Sequence, residues 1–386
     1  MCTVAPDDAG GREPPGLHGV NVAVDARALA GSRGVTRYTR SLLEAMARGF
    51  PGDRWLLFVP GRGELPGAST LCRLPNVELC RHPLPGRLLF GAAAVAGRPR
   101  LDRLVGARPD VVWAPAVAPL ALSAGVPLVL TIHDLSFEQR PEDFTAYERL
   151  WHRLARPRAL GARARLVIVP APATRELLIG RWGIDAARVH VVPEGADGPA
   201  AAGDRRAVLA GLDLAPRGYL MAAGALEPRK APLLLARAYS AARARGLAAE
   251  LVFAGEGRLA AGLHAPGVRL LGRVGDDELD ALYAEALALV MPSLLEGYGL
   301  PAREALARGT PAIVSDLPAF GPELSPAVVR VPVGDEAALT EALLAVERDE
   351  RMRAELAAAA LGAVQGLTWA AAGQRTRELL AQAAAS

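Results

Sequence analysis

Apolar residues in this chain come in short, nearly unbroken runs rather than in alternation with polar ones. In the first half they fall at residues 20–24, 55–59, 111–113, 128–132, 166–169 and 189–192. In the second half they fall at 219–222, 251–254, 268–271, 287–291, 312–314 and 328–331. A strand with one face in water alternates; a strand that is apolar throughout has both faces covered, as in a parallel sheet between helices. Helix-like segments separate the runs and complete a β-α-β rhythm. The rhythm breaks at "PEGADGPAAAGDRRA", residues 193–207, which has the Gly/Pro/Ala character of a linker. The pattern predicts an α/β protein of two Rossmann-like, doubly wound domains. It divides into a disordered tail over 1–18, an N-terminal domain over 19–195, a linker over 196–207 and a C-terminal domain over 208–366. After a break at Gly366, residues 367–386 form a last helix that could return to the first domain. Two such domains facing each other bind ligands at the carboxyl ends of their strands, in the cleft between them.

Composition supports this picture. With 386 residues, 51% hydrophobic and 22% charged, the chain can bury substantial cores. Residues 111–132 carry no charge, but three prolines and a glycine cut them into short runs, so they read as two buried strands and a loop rather than a membrane span. Cys2, Cys72 and Cys80 form no C-x-x-C pattern or disulfide framework, which fits a reducing cytoplasm. The first residues include acids and lack an apolar core, unlike a signal peptide. The net charge of +3 is unevenly spread: +6 over residues 1–200 and −3 over the rest. Residues 149–175 hold seven arginines and no acid. With residues 88–105 and 151–166 as arginine-bearing surfaces, the first half could meet a phosphorylated acceptor or the inner face of a membrane, with Arg153, Arg156, Arg158 and Arg163 as the contacts.

Of 44 basic residues, 43 are arginine; the one lysine is Lys230, in "LEPRKAP". Arg229 and Lys230 stand at the start of a predicted helix. There two cations oppose the helix dipole, and an anion, most naturally a diphosphate, would reverse the sign. The second notable stretch is "MPSLLEGYGLPAREALARGTPAIVSD", residues 291–316. Gly297 and Gly299 flank Tyr298 in a loop whose backbone can approach a ligand closely. Glu296 in this loop could hold sugar hydroxyls. Glu304, expected in the first turn of the next helix, could accept from two vicinal ribose hydroxyls. "FAGEGRLA", residues 253–260, mimics a dinucleotide-binding loop but reads as a structural turn. The sequence contains no D-x-D and no His/Cys ligand cluster, so no metal or cofactor is expected.

Five segments in order carry a family resemblance: "VDARALAGSRGVTRYTRSLL", "TIHDLSFEQRPEDF", "ALEPRKAP", "LLGRVGDDELDALYAEALALVMPSLLEGYGLP" and the E-x7-E stretch running from Glu296 to Glu304. Together they resemble the retaining glycosyltransferases of family 4, which have the two-domain GT-B fold. The resemblance implies that Arg229 and Lys230 hold the donor diphosphate, with Gly34 allowing its approach from the N-terminal side. Glu304 would bind the ribose, and Arg273 and Val274 would flank the base. Glu296, with the backbone of Gly297, Tyr298, Gly299 and Leu300, would hold the donor sugar. His133 would reach that sugar from the acceptor side, with Asp134 orienting the turn, which makes His133 and Glu296 the expected catalytic pair. The chain departs from the family at Gly224-Ala225, where many relatives have Gly-Arg, and at "PAPAT", residues 170–174, where a serine-rich turn would cap a helix.

The expected activity is metal-independent transfer of a sugar, with retention, from a nucleotide-diphosphate sugar to a hydroxyl of a glycan, lipid-linked or small-molecule acceptor, with no nucleic-acid partner. An epimerase or phosphorylase on the same two-domain plan is the alternative. A pyridoxal-type phosphorylase would need a Schiff-base lysine, and Lys230 is already engaged at the phosphate turn. A non-enzymatic NAD-binding regulator would need a first-strand G-x-G-x-x-G, which "GSRGVTR" is not.

Overall fold

The computed structural model describes residues 19–31, 34–63, 65, 68–197 and 204–385; the tail over 1–18 and the middle of the linker lie outside these residues. The first sheet contains β1 (Asn21–Asp25), β2 (Arg54–Pro60), β3 (Val77–His82), β4 (Val111–Ala114), β5 (Leu128–Thr131), β6 (Leu166–Val169) and β7 (Val189–Val191). The second contains β8 (Tyr219–Ala223), β9 (Glu250–Ala254), β10 (Val268–Gly272), β11 (Ala288–Met291), β12 (Ala312–Ser315) and β13 (Val328–Val331). All pairings are parallel. The orders are β3-β2-β1-β4-β5-β6-β7 and β10-β9-β8-β11-β12-β13. In each sheet the direction of winding reverses between two central strands, β1 and β4 in one and β8 and β11 in the other, which opens a crevice beyond their carboxyl ends.

The unbroken apolar runs have the cause read from the sequence. Val22, Val24, Val111 and Trp113 enter the core on one face of the first sheet, and Ala23, Val112 and Ala114 enter the core on the other. In the second sheet Leu220 and Phe253 face one core while Tyr219, Met221 and Val252 face the other. The uncharged stretch 111–132 is indeed two buried strands and a loop. One strand escaped the sequence reading. β3 is an edge strand with no fully buried residue; Val77 and Leu79 pack partly on one core and Cys80 on the other, while Glu78 and Arg81 are exposed and break the apolar run.

The helix Trp369–Ala385 returns to the first domain. Its Trp369, Ala372, Leu379, Leu380 and Ala383 join the core beneath Leu42, Met46 and Trp55. Gly373 lies against Ala45 and Met46 of the helix Gly34–Gly49. Arg377 makes two 2.9 Å hydrogen bonds to Asp53, whose Oδ1 also accepts from the Val20 amide at 2.9 Å. The two passages of the chain between the domains touch: Ala196 N donates to Leu367 O, and Trp369 N to the Asp197 carboxylate.

Candidate active site

The loops after β8 and β11 build one half of the cleft. Pro228–Lys230 forms a single 3-10 turn, Ala231 takes a left-handed φ of 51°, and Pro232 opens the helix Pro232–Ala244. The loop is braced from behind by the segment that mimics a dinucleotide motif. Leu226 N donates to Glu256 O at 2.9 Å, and a side chain at Gly257 would run into the Leu226 backbone. Only a 3-10 turn, Ala260–Gly262, follows that segment, so it is a structural turn without a helix N-terminus to receive phosphate.

This bracing holds the two cations over the β11 loop. Lys230 Nζ binds Glu296 Oε1, Arg229 stands 3.8 Å from Glu296 Oε2, and Ser293 Oγ donates to Oε1 at 2.7 Å. Leu294 N donates to Arg229 O at 2.8 Å and ties the loops together. Burial pushes the Lys230 pKa down; Glu296 pulls against this, Arg229 adds to it, and the ammonium stays below its ordinary value. Burial acts on Arg229 in the same direction, but Glu296, Asp134, Glu227 and Asp143 outweigh it and hold the guanidinium above its ordinary value. Lys230 and Ser293 also line a small cavity with Gly224, Leu226, Pro232 and Met291, at the crevice between β8 and β11. Three of the expected donor residues, Arg229, Lys230 and Glu296, are therefore one cluster.

The opposite wall is the turn after β5. His133 Nδ1 lies 3.1 Å from Glu194 Oε1, and its Nε2 lies 2.9 Å from Pro115 O. The Tyr38 ring meets it edge-on at 4.6 Å. Burial would lower the His133 pKa, but two acceptors, one of them a carboxylate, raise it and favour the imidazolium. Both ring nitrogens therefore have partners within the first domain, Glu194 and the Pro115 carbonyl. What His133 presents across the cleft is its backbone, since a side chain at Gly297 would collide with the His133 carbonyl and with Cβ of Asp134. Burial pushes the Asp134 pKa up, but the Arg229 cation and the hydrogen bonds from Ser136 hold it below its ordinary value.

Glu304 differs from expectation. The helix Leu300–Leu306 begins after Gly299, whose φ is 78°, so Glu304 is its fifth residue and not in the first turn. It is buried: Tyr283 Oη donates to Oε2 at 2.9 Å, and Arg37 Nε from the first domain stands 2.7 Å from Oε1. Burial raises the Glu304 pKa, and Arg37 and Tyr283 only partly offset it. Sequence reading missed Arg37, although it lies within the quoted N-terminal motif; nothing in one chain says which carboxylate 267 residues away an arginine will meet. Arg40 on the same helix pairs with Asp276 at 2.8 Å. The Tyr298 side chain has a structural task of its own. Its hydroxyl donates to Glu194 O at 2.8 Å, and Arg303 covers its ring at 3.9 Å, so the side chain ties the two domains together. Gly34 opens the helix Gly34–Gly49 with open space where a side chain would be. Arg273 and Val274 follow β10, Arg273 exposed and 3.4 Å from Glu256, Val274 packed partly on the core. Ala171 gives the helix Pro172–Trp182 no side-chain cap, as "PAPAT" suggested; Pro172 at its first position needs no amide partner there.

Residues 32–197 match the family described as Glycosyltransferase Family 4, and residues 217–349 the family described as Glycosyl transferases group 1. A D-inositol 3-phosphate glycosyltransferase of Actinosynnema mirum is 31% identical over 279 residues, 66% of each chain. The chain spans less than two thirds of the length of the curated relatives it matches, about half in several cases. Among solved structures, a sucrose-phosphate synthase from Thermosynechococcus elongatus superposes with a TM-score of 0.72 at 20% identity, over 95% of this chain and 100% of that one. Anabaena HepE in complex with UDP and glucose superposes with a TM-score of 0.69 at 18% identity, over 94% and 100%. Both likenesses concern the fold.

Proposed function

Because the chain belongs to the family 4, group 1 glycosyltransferases, we propose that it transfers a sugar from a nucleotide-diphosphate sugar to a hydroxyl acceptor with retention at the anomeric carbon. The observation that carries this reading is the cluster of Arg229, Lys230 and Glu296 facing His133 and Asp134 across the cleft. Glu296 is the carboxylate that both cations share. A donor would exchange these partners: its diphosphate takes Arg229 and Lys230, and its sugar hydroxyls take Glu296. In the reaction the bond between the anomeric carbon and the phosphate oxygen breaks. The acceptor oxygen bonds to the same face of that carbon, and its proton passes to the departing phosphate. Negative charge grows on the diphosphate, where two fixed cations in a half-dry site stabilise it. This supplies the work a divalent ion would otherwise do, so the reaction needs none. Glu304 would bind the ribose after giving up Arg37.

A panel of nucleotide sugars, assayed for nucleoside-diphosphate release with and without hydroxyl acceptors, tests the reading. Release that needs an acceptor, persists in EDTA and gives a product of unchanged anomeric configuration by NMR is expected. Release without acceptor, with an epimerised sugar recovered, would identify an epimerase instead. Loss of turnover in EDTA, restored by Mg²⁺ or Mn²⁺, would refute the metal-free chemistry.

A further inference from the structure

Among the described residues seven large apolar side chains stand out in solvent, and five of them are gathered on two neighbouring helices and the turn before them: Leu84, Leu88, Val95, Tyr147 and Leu150, between 48% and 81% exposed. The helix Gly86–Ala96 buries Leu89, Phe90 and Ala93. Its outer face, at the spacing i, i+4, i+7, carries Leu88, Ala92 and Val95, so it is apolar on both sides. A surface helix whose partners are all within its own domain keeps that outer face polar. The helix Ala146–Ala155 lies beside it: Phe90 meets Trp151 edge-on at 6.4 Å, and the Arg87 guanidinium stands 5.3 Å from the centre of the Tyr147 ring.

The exposed charge around this apolar ground is mostly positive. Arg87, Arg98, Arg149, Arg153 and Arg156 are exposed. The nearby acids are occupied: Glu148 caps its own helix through Thr145, Glu138 pairs with Arg158 at 2.9 Å, and Glu142 pairs with Arg140 at 3.5 Å. The four arginines singled out in the sequence differ in their partners. Arg158 is neutralised by Glu138, and Arg163 donates to Ser123 O, whereas Arg153 and Arg156 have no carboxylate partner among the described residues.

We infer that the helices Gly86–Ala96 and Ala146–Ala155 form a docking surface for an anionic lipid bilayer, bound peripherally with both helices parallel to the membrane plane. Apolar side chains that enter the headgroup boundary, ringed by arginines that meet lipid phosphates, are the chemistry such a surface recognises. Arginine with an aromatic neighbour, as in Arg87 over Tyr147, suits that boundary, because guanidinium is weakly hydrated and Tyr has one apolar and one wet end. No described helix is long and apolar enough to cross a membrane. The position also fits delivery of a lipid-linked acceptor, a point that rests on the transferase reading. The helix Ala146–Ala155 begins just after Asp143, whose carbonyl accepts from Arg258 across the cleft, so the bilayer would lie near the cleft mouth.

Flotation of the whole protein with phosphatidylcholine vesicles, and with the same vesicles containing phosphatidylglycerol, tests the docking apart from any transfer. Binding to the anionic vesicles should exceed binding to the neutral ones by about tenfold or more and fall as salt rises. L88E/V95E and R153E/R156E should each lose about tenfold of that binding while their unfolding curves stay those of the wild type. Equal binding to both vesicles, or to neither, overturns the inference. So does anionic binding that L88E/V95E leaves intact, which would mean charge attraction without insertion. If the wild type sediments as a dimer and L88E/V95E as a monomer, the surface is covered by a second copy and the bilayer assignment fails.

Discussion

Two buried ion pairs of this molecule share a chemistry and differ in what surrounds them. Asp53 and Arg377 meet through two parallel bonds of 2.9 Å, and the third bond of Asp53 comes from the Val20 amide. Their side chains are 1% and 4% exposed. The guanidinium fork matches the carboxylate, and no further partner is needed. Lys230 and Glu296 meet in the cleft, where Glu296 is also approached by Arg229 and Ser293. Two cations and one hydroxyl compete for a single carboxylate, and the lysine is held below its ordinary pKa by burial. The first pair is saturated and fastens an element. The second shares one carboxylate among several donors in an open cleft, where an incoming anion can take its place. Burial alone thus does not distinguish a fastening from a site; the balance of donors to acceptors does.

The largest effect expected is on the saturated pair. Arg377→Ala leaves Asp53 charged and buried, and should remove about 3–5 kcal/mol of unfolding free energy measured in urea. A loss below about 1 kcal/mol would show that the last helix is held by its apolar contacts alone. Lys230→Ala should do the reverse, lowering turnover by roughly 10²–10³-fold while changing stability by less than about 1 kcal/mol, because Glu296 keeps Arg229 and Ser293. Lys230→Arg should recover only part of the activity, since a second planar fork does not fit beside Arg229 as a compact ammonium does. Glu304→Gln should weaken nucleoside-diphosphate binding by about tenfold in calorimetry, and Glu296→Gln should spare that binding and harm turnover of the intact donor. Normal nucleotide binding in Glu304→Gln would remove Glu304 from the ribose.

The smallest effect is one of pH. Burial raises the Glu304 pKa in the folded protein, so the native state binds this proton more tightly than the unfolded one. Its ionisation then works against folding: the wild type should be most stable relative to Glu304→Gln below the ordinary glutamate range, and lose that advantage as pH rises through the raised pKa. Unfolding curves of both proteins across the acid range check the sign; an advantage that grows with pH would mean that Arg37 outweighs burial.

Much of this was legible in the sequence, for identifiable reasons. Unbroken apolar runs mark strands, so every other strand was found and β3, whose run is broken by Glu78 and Arg81, was not. Arg229, Lys230 and Glu296 could be singled out because helix-start cations and a glutamate in a two-glycine loop are locally anomalous. The partners that decide their state were not local. Arg37 on Glu304, Glu194 on His133 and the Tyr298 hydroxyl on the Glu194 backbone all join segments far apart in the chain. Local periodicity carries no record of such pairings. The basic segment 149–175 was visible as a run of arginines, but which of them are spent on Glu138 or on backbone oxygens is a property of the fold.

The return of the helix Trp369–Ala385 has a consequence for the order of assembly. Arg377 and Asp53 lie 324 residues apart, and Trp369 and Leu379 fill the same core as Trp55. In topological terms the second domain is an insertion in the first. A ribosome emits all of the second sheet before the segment that completes the first, so the domain that emerges earliest closes latest. Until then the helix Gly34–Gly49 keeps an uncovered apolar face, and the entropy of closing so long a loop is deferred to the last step. A chain stopped at residue 366 would carry its lesion not where it was cut but at the far domain, as an open core prone to aggregate.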